Sequence, residues 1–314
     1  MLMLWMNSSK ISIRNAGSWR GLLPNMAAVF VLGISIARIG QAQLVGSLTS
    51  DLAFVGSQPS EPTANDGDVK AVYQRGVAHI FGSTANHDYL RAVEDLRQAA
   101  TGGLTDADLV LGYLYERGQG VQKDYRLAMN YYQVAAAGGN ALAANNLGAM
   151  YDWGHGASVN LSEAYRWYRF AAELGEQTAE VNLAVLYFFG RGVHRDYIQA
   201  DHWLGKAAEQ GFSLAQVELA YMYSVGKGVP RDYVKSAQWA RRAADQGDPK
   251  GEAVLASLYE RGKGLPLDYV SAYRWYSLSL RAGNNEVKDK FESLSRIMTE
   301  RQIKDAKSSI ATRP

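Results

Sequence analysis

The 314-residue chain contains no cysteine, which excludes a disulfide framework, a thiolate zinc site, an iron–sulfur cluster and a cysteine nucleophile. Histidine is scarce. His79, His87, His155, His194 and His202 form no H-E-x-x-H and no pair at the i, i+4 spacing of a helix-borne metal site. No metal and no cofactor are therefore expected. Carboxylates are missing altogether from the first 42 residues, which hold Lys10, Arg14, Arg20 and Arg38. What the chain does have is apolar and aromatic side chains, at 47% and 11%, with 20% charged residues. That composition excludes wholesale disorder and suits a soluble protein with a sizeable core. The formal charge of +2 comes from the N-terminal cations, and the rest of the chain carries slightly more carboxylates than cations.

Between those cations runs Met26–Ala37, MAAVFVLGISIA, an apolar stretch of twelve. A helix needs about 18–20 apolar residues to cross a bilayer, whereas about 7–15 suit the h-region of a secretory signal peptide. Gly40-Gln41-Ala42 places small residues at the −3 and −1 positions of a cleavage site after Ala42. Residues 1–42 are expected to be a signal peptide and the protein periplasmic or secreted. The long n-region and Pro24-Asn25 keep a retained N-terminal anchor open as the alternative; after processing no stable membrane span is expected. Residues 43–67 include Gly56-Ser57-Gln58-Pro59-Ser60-Glu61-Pro62, a polar, turn-rich run that predicts a flexible linker.

Beyond the linker the chain resembles itself at a shift of 36 residues. Tyr115, Tyr151, Tyr187, Tyr223 and Tyr259 form one column. Gly118, Gly154, Gly190, Gly226 and Gly262 form a second, and Gly120, Gly156, Gly192, Gly228 and Gly264 a third. Five units follow without insertion: 104–139, 140–175, 176–211, 212–247 and 248–283. Such a period marks a solenoid, in which each unit buries its apolar face against its neighbours. Within 104–139, Leu104, Ala107, Leu111, Leu114 and Tyr115 share one face of a first helix, called helix A below. Gly118 and Gly120 supply its end and a tight turn. Asp124, echoed by Asn160, Asp196, Asp232 and Asp268, stands where it would cap a second helix. That second helix, helix B, shows Tyr125, Ala128, Tyr131, Tyr132 and Ala135 on one face. Each unit is thus expected to be an antiparallel helical hairpin.

The columns predict packing. Gly112, Gly148, Ala184, Ala220 and Ala256 let helix A approach another helix closely. Tyr131, Trp167, Trp203, Trp239 and Trp275 supply one large ring per unit, expected in the core rather than as a stacking ladder, because the ring recurs in every hairpin.

These residues resemble the Sel1-like repeat family, relatives of tetratricopeptide repeats. The family pattern is present as Gly148-Ala149-Met150-Tyr151, Ala164, Trp167-Tyr168, Ala171-Ala172-Glu173-Leu174-Gly175, Gly190-Arg191-Gly192-Val193 and Asp196. The resemblance implies an all-α, right-handed superhelical solenoid of 36-residue hairpins with terminal capping helices. A worn unit at 68–103 keeps Gly76, Asp88, Tyr89, Ala92 and Ala99-Ala100 but has His79 and Asp95 in the tyrosine and tryptophan columns, and Thr84 in the second glycine column. It is expected to be the N-terminal cap, with 284–314 forming C-terminal capping helices, Val287–Met298 first.

The resemblance further implies a non-enzymatic scaffold or adaptor, an exported regulator or envelope assembly factor that binds a protein or peptide on its concave surface. Two rival readings have some support in the sequence. Ser224-Val225-Gly226-Lys227 satisfies S-x-x-K, of interest because some family members are linked to β-lactam hydrolysis, but the companion S-D-N and K-T-G elements are missing. Nucleic-acid binding would need a basic stripe. The closest are Lys123, Arg195 and Arg231 in one column and His155, Arg191, Lys227 and Lys263 in another, and no nucleic acid is expected. A binding site is best sought where units differ. The columns Glu116, Asp152, Phe188, Ser224, Glu260 and Arg117, Trp153, Phe189, Val225, Arg261 are polar at the ends and aromatic in the middle. A central aromatic patch with a charged rim is the usual form of an interface hot spot. Trp153, Phe188 and Phe189, rimmed by Asp152, Arg117 and Glu116, are therefore the candidate partner-binding residues, unless the ends of helix A pack on neighbouring turns and hide the rings. A monomer is expected.

Overall fold

The structure, a computed structural model, describes residues 68–81 and 88–311. The predicted signal segment, the linker, Thr84 and His87 lie outside the described residues. Twelve helices of equal length pair into six hairpins. They are α1 (Val69–Phe81) with α2 (Tyr89–Thr101), α3 (Thr105–Arg117) with α4 (Tyr125–Ala137), and α5 (Ala141–Trp153) with α6 (Leu161–Glu173). The next three are α7 (Gln177–Phe189) with α8 (Tyr197–Glu209), α9 (Ser213–Val225) with α10 (Tyr233–Asp245), and α11 (Pro249–Arg261) with α12 (Tyr269–Arg281). A single 3-10 turn, Asn285–Val287, leads to α13 (Lys288–Ile297) and α14 (Glu300–Ala311). Among the described residues there is no strand. The fold is an all-α solenoid of hairpins.

The same local chemistry makes each hairpin. The Asp124 carboxylate accepts from the Arg126 and Leu127 N–H groups, and Asp196, Asp232 and Asp268 repeat this pair of bonds, while Asn160 accepts from Glu163 N–H. These side chains satisfy donors that a helix start leaves orphaned. Caps on helix A that the sequence pattern did not single out come from Asn140, Glu176 and Asp248. Two glycine columns are held by geometry. Gly118 and its four equivalents end helix A in the left-handed region, with φ between 60° and 72°. Gly120 and its equivalents also have positive φ, and there is no room for a side chain. A Cβ on Gly192 would lie 2.7 Å from the Leu161 carbonyl oxygen, and one on Gly156 2.7 Å from that of Tyr125. The second glycine therefore lets each turn sit directly on the first residue of the preceding unit's helix B.

The ring that fills the core is the neighbour of the one the columns pointed to. Of Tyr131, Trp167, Trp203, Trp239 and Trp275, only Trp275 is buried, the others being half-buried. Tyr132, Tyr168, Leu204, Ala240 and Tyr276 are the buried set. Adjacent helical residues point about 100° apart, so only one of the two can face helix A. The residue that does so explains the small column. A Cβ on Gly112 would come 2.6 Å from the Tyr132 ring, and one on Gly148 2.7 Å from that of Tyr168. Buried residues fall into two clusters, Val72 to Leu186 and Ala220 to Ile310, and the division falls in the unit where this column carries Leu204.

At 68–103 the polar replacements meet one another. The Arg75 guanidinium donates to both carboxylate oxygens of Asp95, at 2.8 and 3.0 Å, and His79 Nε2 lies 3.6 Å from it. His79 and Asp95 occupy the positions where Tyr115 and Tyr131 stack at 5.5 Å one unit later. At the other end, Thr299 N–H donates to Gln302 Oε1 and Gln302 N–H to Thr299 Oγ1, a reciprocal cap on α14. Phe291 of α13 packs on Tyr273 at 4.7 Å between centroids.

Candidate interaction surface

Successive helices A touch each other, α5 with α7 and α9 with α11, in addition to packing on helices B. Helix A therefore forms the inner side of the array. Its B-facing residues, such as Ala143, Leu147 and Met150 on α5, are fully buried. The stripe that stays open runs i, i+4, i+7, i+11: Leu142, Asn146, Ala149 and Trp153 on α5, and on α9 Glu218, Tyr221 and Val225, its first position, Leu214, being buried. On α7 the equivalent stripe is Thr178, Asn182, Val185 and Phe189, the first two buried.

The six candidate residues divide by role. Trp153 keeps half its surface exposed and Arg117 is exposed, with the Arg117 guanidinium 5.6 Å from the Tyr113 ring centroid. Phe188 and Phe189 are half-buried and meet edge to face at 4.9 Å, and Phe188 also packs on Tyr197 at 5.1 Å. Trp153 stands one unit before Phe189 in the same column. Glu116 and Asp152 have internal partners instead. Glu116 Oε2 accepts from the Tyr132 hydroxyl at 2.8 Å, and Asp152 accepts from Arg191 at 2.6 Å. Burial raises the Asp152 carboxyl above its ordinary range, and Arg191 opposes that shift.

The basic columns are likewise occupied. Lys227 Nζ lies 4.9 Å from the Phe188 ring centroid, and Lys263 lies over Tyr233 while donating to its hydroxyl at 3.2 Å. His155 stacks on Tyr125 at 4.6 Å. Lys123, Arg195 and Arg231 each sit over the tyrosine two residues ahead. The serine of S-x-x-K donates to its own helix, Ser224 Oγ to Tyr221 O at 2.8 Å. Among the described residues no group of three or more His, Asp or Glu side chains could hold a metal ion, and no helix is long and apolar enough to cross a membrane.

Polar groups on helix A were missed by sequence reasoning. Asn182 donates to Asn145 Oδ1 at 2.8 Å across units. Asp108, Glu180, Gln216 and Glu252 share one buried column. Glu180 accepts from Gln210 at 2.9 Å and pairs with Lys206 at 3.5 Å, and burial raises its carboxyl despite that lysine. The available signal was a polar residue in four of the five units, Ala144 being the exception, inside an apolar stripe.

Comparison with known proteins now decides the family. The Sel1 repeat model matches five consecutive stretches, 105–140, 141–176, 177–212, 213–248 and 249–284. The chain belongs to the Sel1 repeat family. These borders lie one residue beyond those from the sequence columns. Sel1 repeats generally mediate protein–protein interaction, and their proteins are generally non-catalytic. Among solved structures, the chain is similar to a protective antigen of uropathogenic Escherichia coli displaying an SLR fold. Identity is 36%, the TM-score 0.69, and the match covers 78% of this chain. It spans about half, 54%, of that antigen's length. A Sel1 repeat protein from Oxalobacter formigenes is 35% identical with a TM-score of 0.60, over 63% of this chain and 82% of that one. No curated protein matches.

Proposed function

We propose that this Sel1 repeat chain is a non-enzymatic adaptor, exported through residues 1–42 to the periplasm or beyond, that holds a protein or peptide partner on the inner face of its middle units. The observation that carries the proposal is Trp153, a large ring half exposed at the end of α5 where the repeat pattern does not require it. Phe188 and Phe189 extend the apolar surface one unit further, and Arg117 supplies a charged rim. Glu116 and Asp152 are themselves held by Tyr132 and Arg191. That a relative with 36% identity is a protective antigen supports a place outside the cytoplasm. The working form is taken as a monomer whose signal is cleaved after Ala42, with regulation or envelope assembly as its service.

The test is co-purification of the tagged full chain from the envelope fraction, with mass spectrometry of what accompanies it. A partner recovered by the wild type and lost in Trp153→Ala and Phe189→Ala supports the proposal. Unchanged recovery in both folded variants counts against the site, and an unprocessed chain confined to the cytoplasm counts against export.

A further inference from the structure

The turns that join helix A to helix B form one continuous edge of the array. Gly156 sits on Tyr125, Gly192 on Leu161, Gly228 on Tyr197 and Gly264 on Tyr233, so each turn rests on the start of the preceding unit's helix B. Apolar side chains stand out from this edge. Between the last residue of helix A and the third of helix B, the five units from α3 to α12 expose Trp153, Val159, Ile198, Val225, Val234 and Leu267. These are six of the eleven large apolar side chains exposed among the described residues, and Ile198 shows 77% of its surface. Single exposed apolar residues are ordinary on a folded protein. A majority of them gathered along one edge marks a contact surface.

The same segments are cationic. They expose eight Lys or Arg, with Lys123, Arg195, Arg231 and Lys235 among them, against one carboxylate, Asp124. Among the described residues, Arg191 is the one of the eight that pairs with a carboxylate, that of Asp152. Lys123, Arg195 and Arg231 lie over tyrosine rings, as does Lys235 over Tyr223 at 5.1 Å, and these contacts position a cation without neutralising it. The capping carboxylates of Asp196, Asp232 and Asp268 are half-buried and turned into helix B, whose N–H groups they accept. The opposite edge has the reverse sign. Between the last residue of helix B and the second of the next helix A, the turns from α2–α3 to α10–α11 expose Asp106, Glu173, Glu209 and Asp245 and no Lys or Arg.

Aliphatic tips set among unpaired cations match a surface that is anionic outside and apolar beneath. At such a surface Lys and Arg stay with the headgroups, branched aliphatic side chains enter the acyl boundary, and Trp takes the interface between. A phosphate polymer would be held by the cations alone and gain nothing from Ile198 or Leu267. Separate tips also offer a folded protein no continuous face, whereas fluid lipid closes around each of them. We propose that this turn edge is a docking surface for an anionic phospholipid bilayer, with Ile198, Val234 and Leu267 inserted and Lys123, Arg195, Arg231 and Lys235 at the headgroups. The array lies on the membrane by its edge and does not cross it. This goes beyond the adaptor function, because it fixes where the array sits and leaves the inner face open; Trp153, at the border of edge and inner face, is common to both.

The chain has no cysteine, so a single introduced thiol can carry an environment-sensitive fluorophore at a chosen place. The full chain is labelled as Ile198→Cys, Leu267→Cys or Glu209→Cys and mixed with vesicles of phosphatidylglycerol and phosphatidylethanolamine, or of phosphatidylcholine alone. The expected result is a blue shift at 198 and 267 on the anionic vesicles only, with the label at 209 unmoved. Vesicle affinity should fall about tenfold or more in Arg195→Gln/Arg231→Gln, each cation at an anionic surface being worth about fivefold, and at least fivefold in Ile198→Ser/Val234→Ser. Residues 1–67 are common to every variant, so the differences read the edge, and thermal melts matching the wild type guard against loss of fold. An equal shift at 209 and 198, equal binding to neutral vesicles, no vesicle binding, or unchanged affinity in both double variants would overturn the proposal. Duplex DNA bound at the edge while vesicles are ignored would overturn it in favour of a phosphate polymer.

Discussion

The Tyr132 hydroxyl donates to Glu116 Oε2 at 2.8 Å, and 144 residues later Tyr276 donates to Glu260 Oε2 at the same 2.8 Å. Both rings are wholly buried in their hairpins. Both hydroxyls therefore need an acceptor, and a carboxylate at the end of helix A provides it. The charged ends of the candidate interaction column are thus also struts of the core. Burial and the Glu116 carboxylate both push the Tyr132 phenol well above its usual range, so it remains a donor throughout the working pH.

This relationship sets the first expectation. Tyr168→Ala, in the central array, removes a ring packed against Gly148 and should cost about 3–5 kcal/mol. Trp203→Ala, at a half-buried ring held by Lys206 and His202, should cost distinctly less. Urea melts of the two variants would separate them; equal midpoints would contradict the assignment of the core ring.

Two glycines give opposite outcomes on the same substitution. Gly192→Ala places a Cβ 2.7 Å from the Leu161 carbonyl oxygen at positive φ and should lower the melting temperature. Gly205→Ala lies inside α8 with open space around it and should raise stability by about 0.5–1 kcal/mol. Differential scanning calorimetry of both variants reads the contrast.

The N-cap of α8 is a local test. Asp196→Ala frees the N–H groups of Ile198 and Gln199 and should cost about 1 kcal/mol, whereas Asp196→Asn should keep most of the stability. Denaturant midpoints for the pair decide this, and loss of equal size in both would point to charge rather than capping.

Stability should also depend on pH through Glu218. Its carboxyl titrates near 7 in the folded chain against an ordinary 4.5. Between those values the unfolded chain has lost the proton and the folded chain keeps it, so stability falls as pH rises from 4.5 to 7 and stays low above. Glu218→Gln removes that fall. Its gain over the wild type should be near zero at pH 4 and on the order of 2 kcal/mol at pH 8, allowing for the solvent contact that remains. Chemical denaturation of both proteins across this range measures the difference.

Sequence alone determined the hairpins. Glycine at a left-handed position and aspartate at a helix start are local requirements, so a 36-residue period repeated five times displays them directly, and the family pattern follows from them. It also singled out Trp153, Phe188 and Phe189 as the aromatic departures in their columns; in the structure Trp153 is half exposed while Phe188 packs on Phe189 and Tyr197. The tertiary structure decided which of two adjacent rings is core. Trp167 and Tyr168 are equally apolar in a column, and only the direction of helix B relative to Gly148 makes Tyr168 the buried one. It likewise decided that Glu116 and Asp152 serve Tyr132 and Arg191, because those partners lie 16 and 39 residues away. Glu218 could not be singled out in the sequence, where it is one glutamate in an amphipathic helix. Desolvation is a property of what surrounds a side chain, and those surroundings exist only once α7, α9 and α11 have packed together.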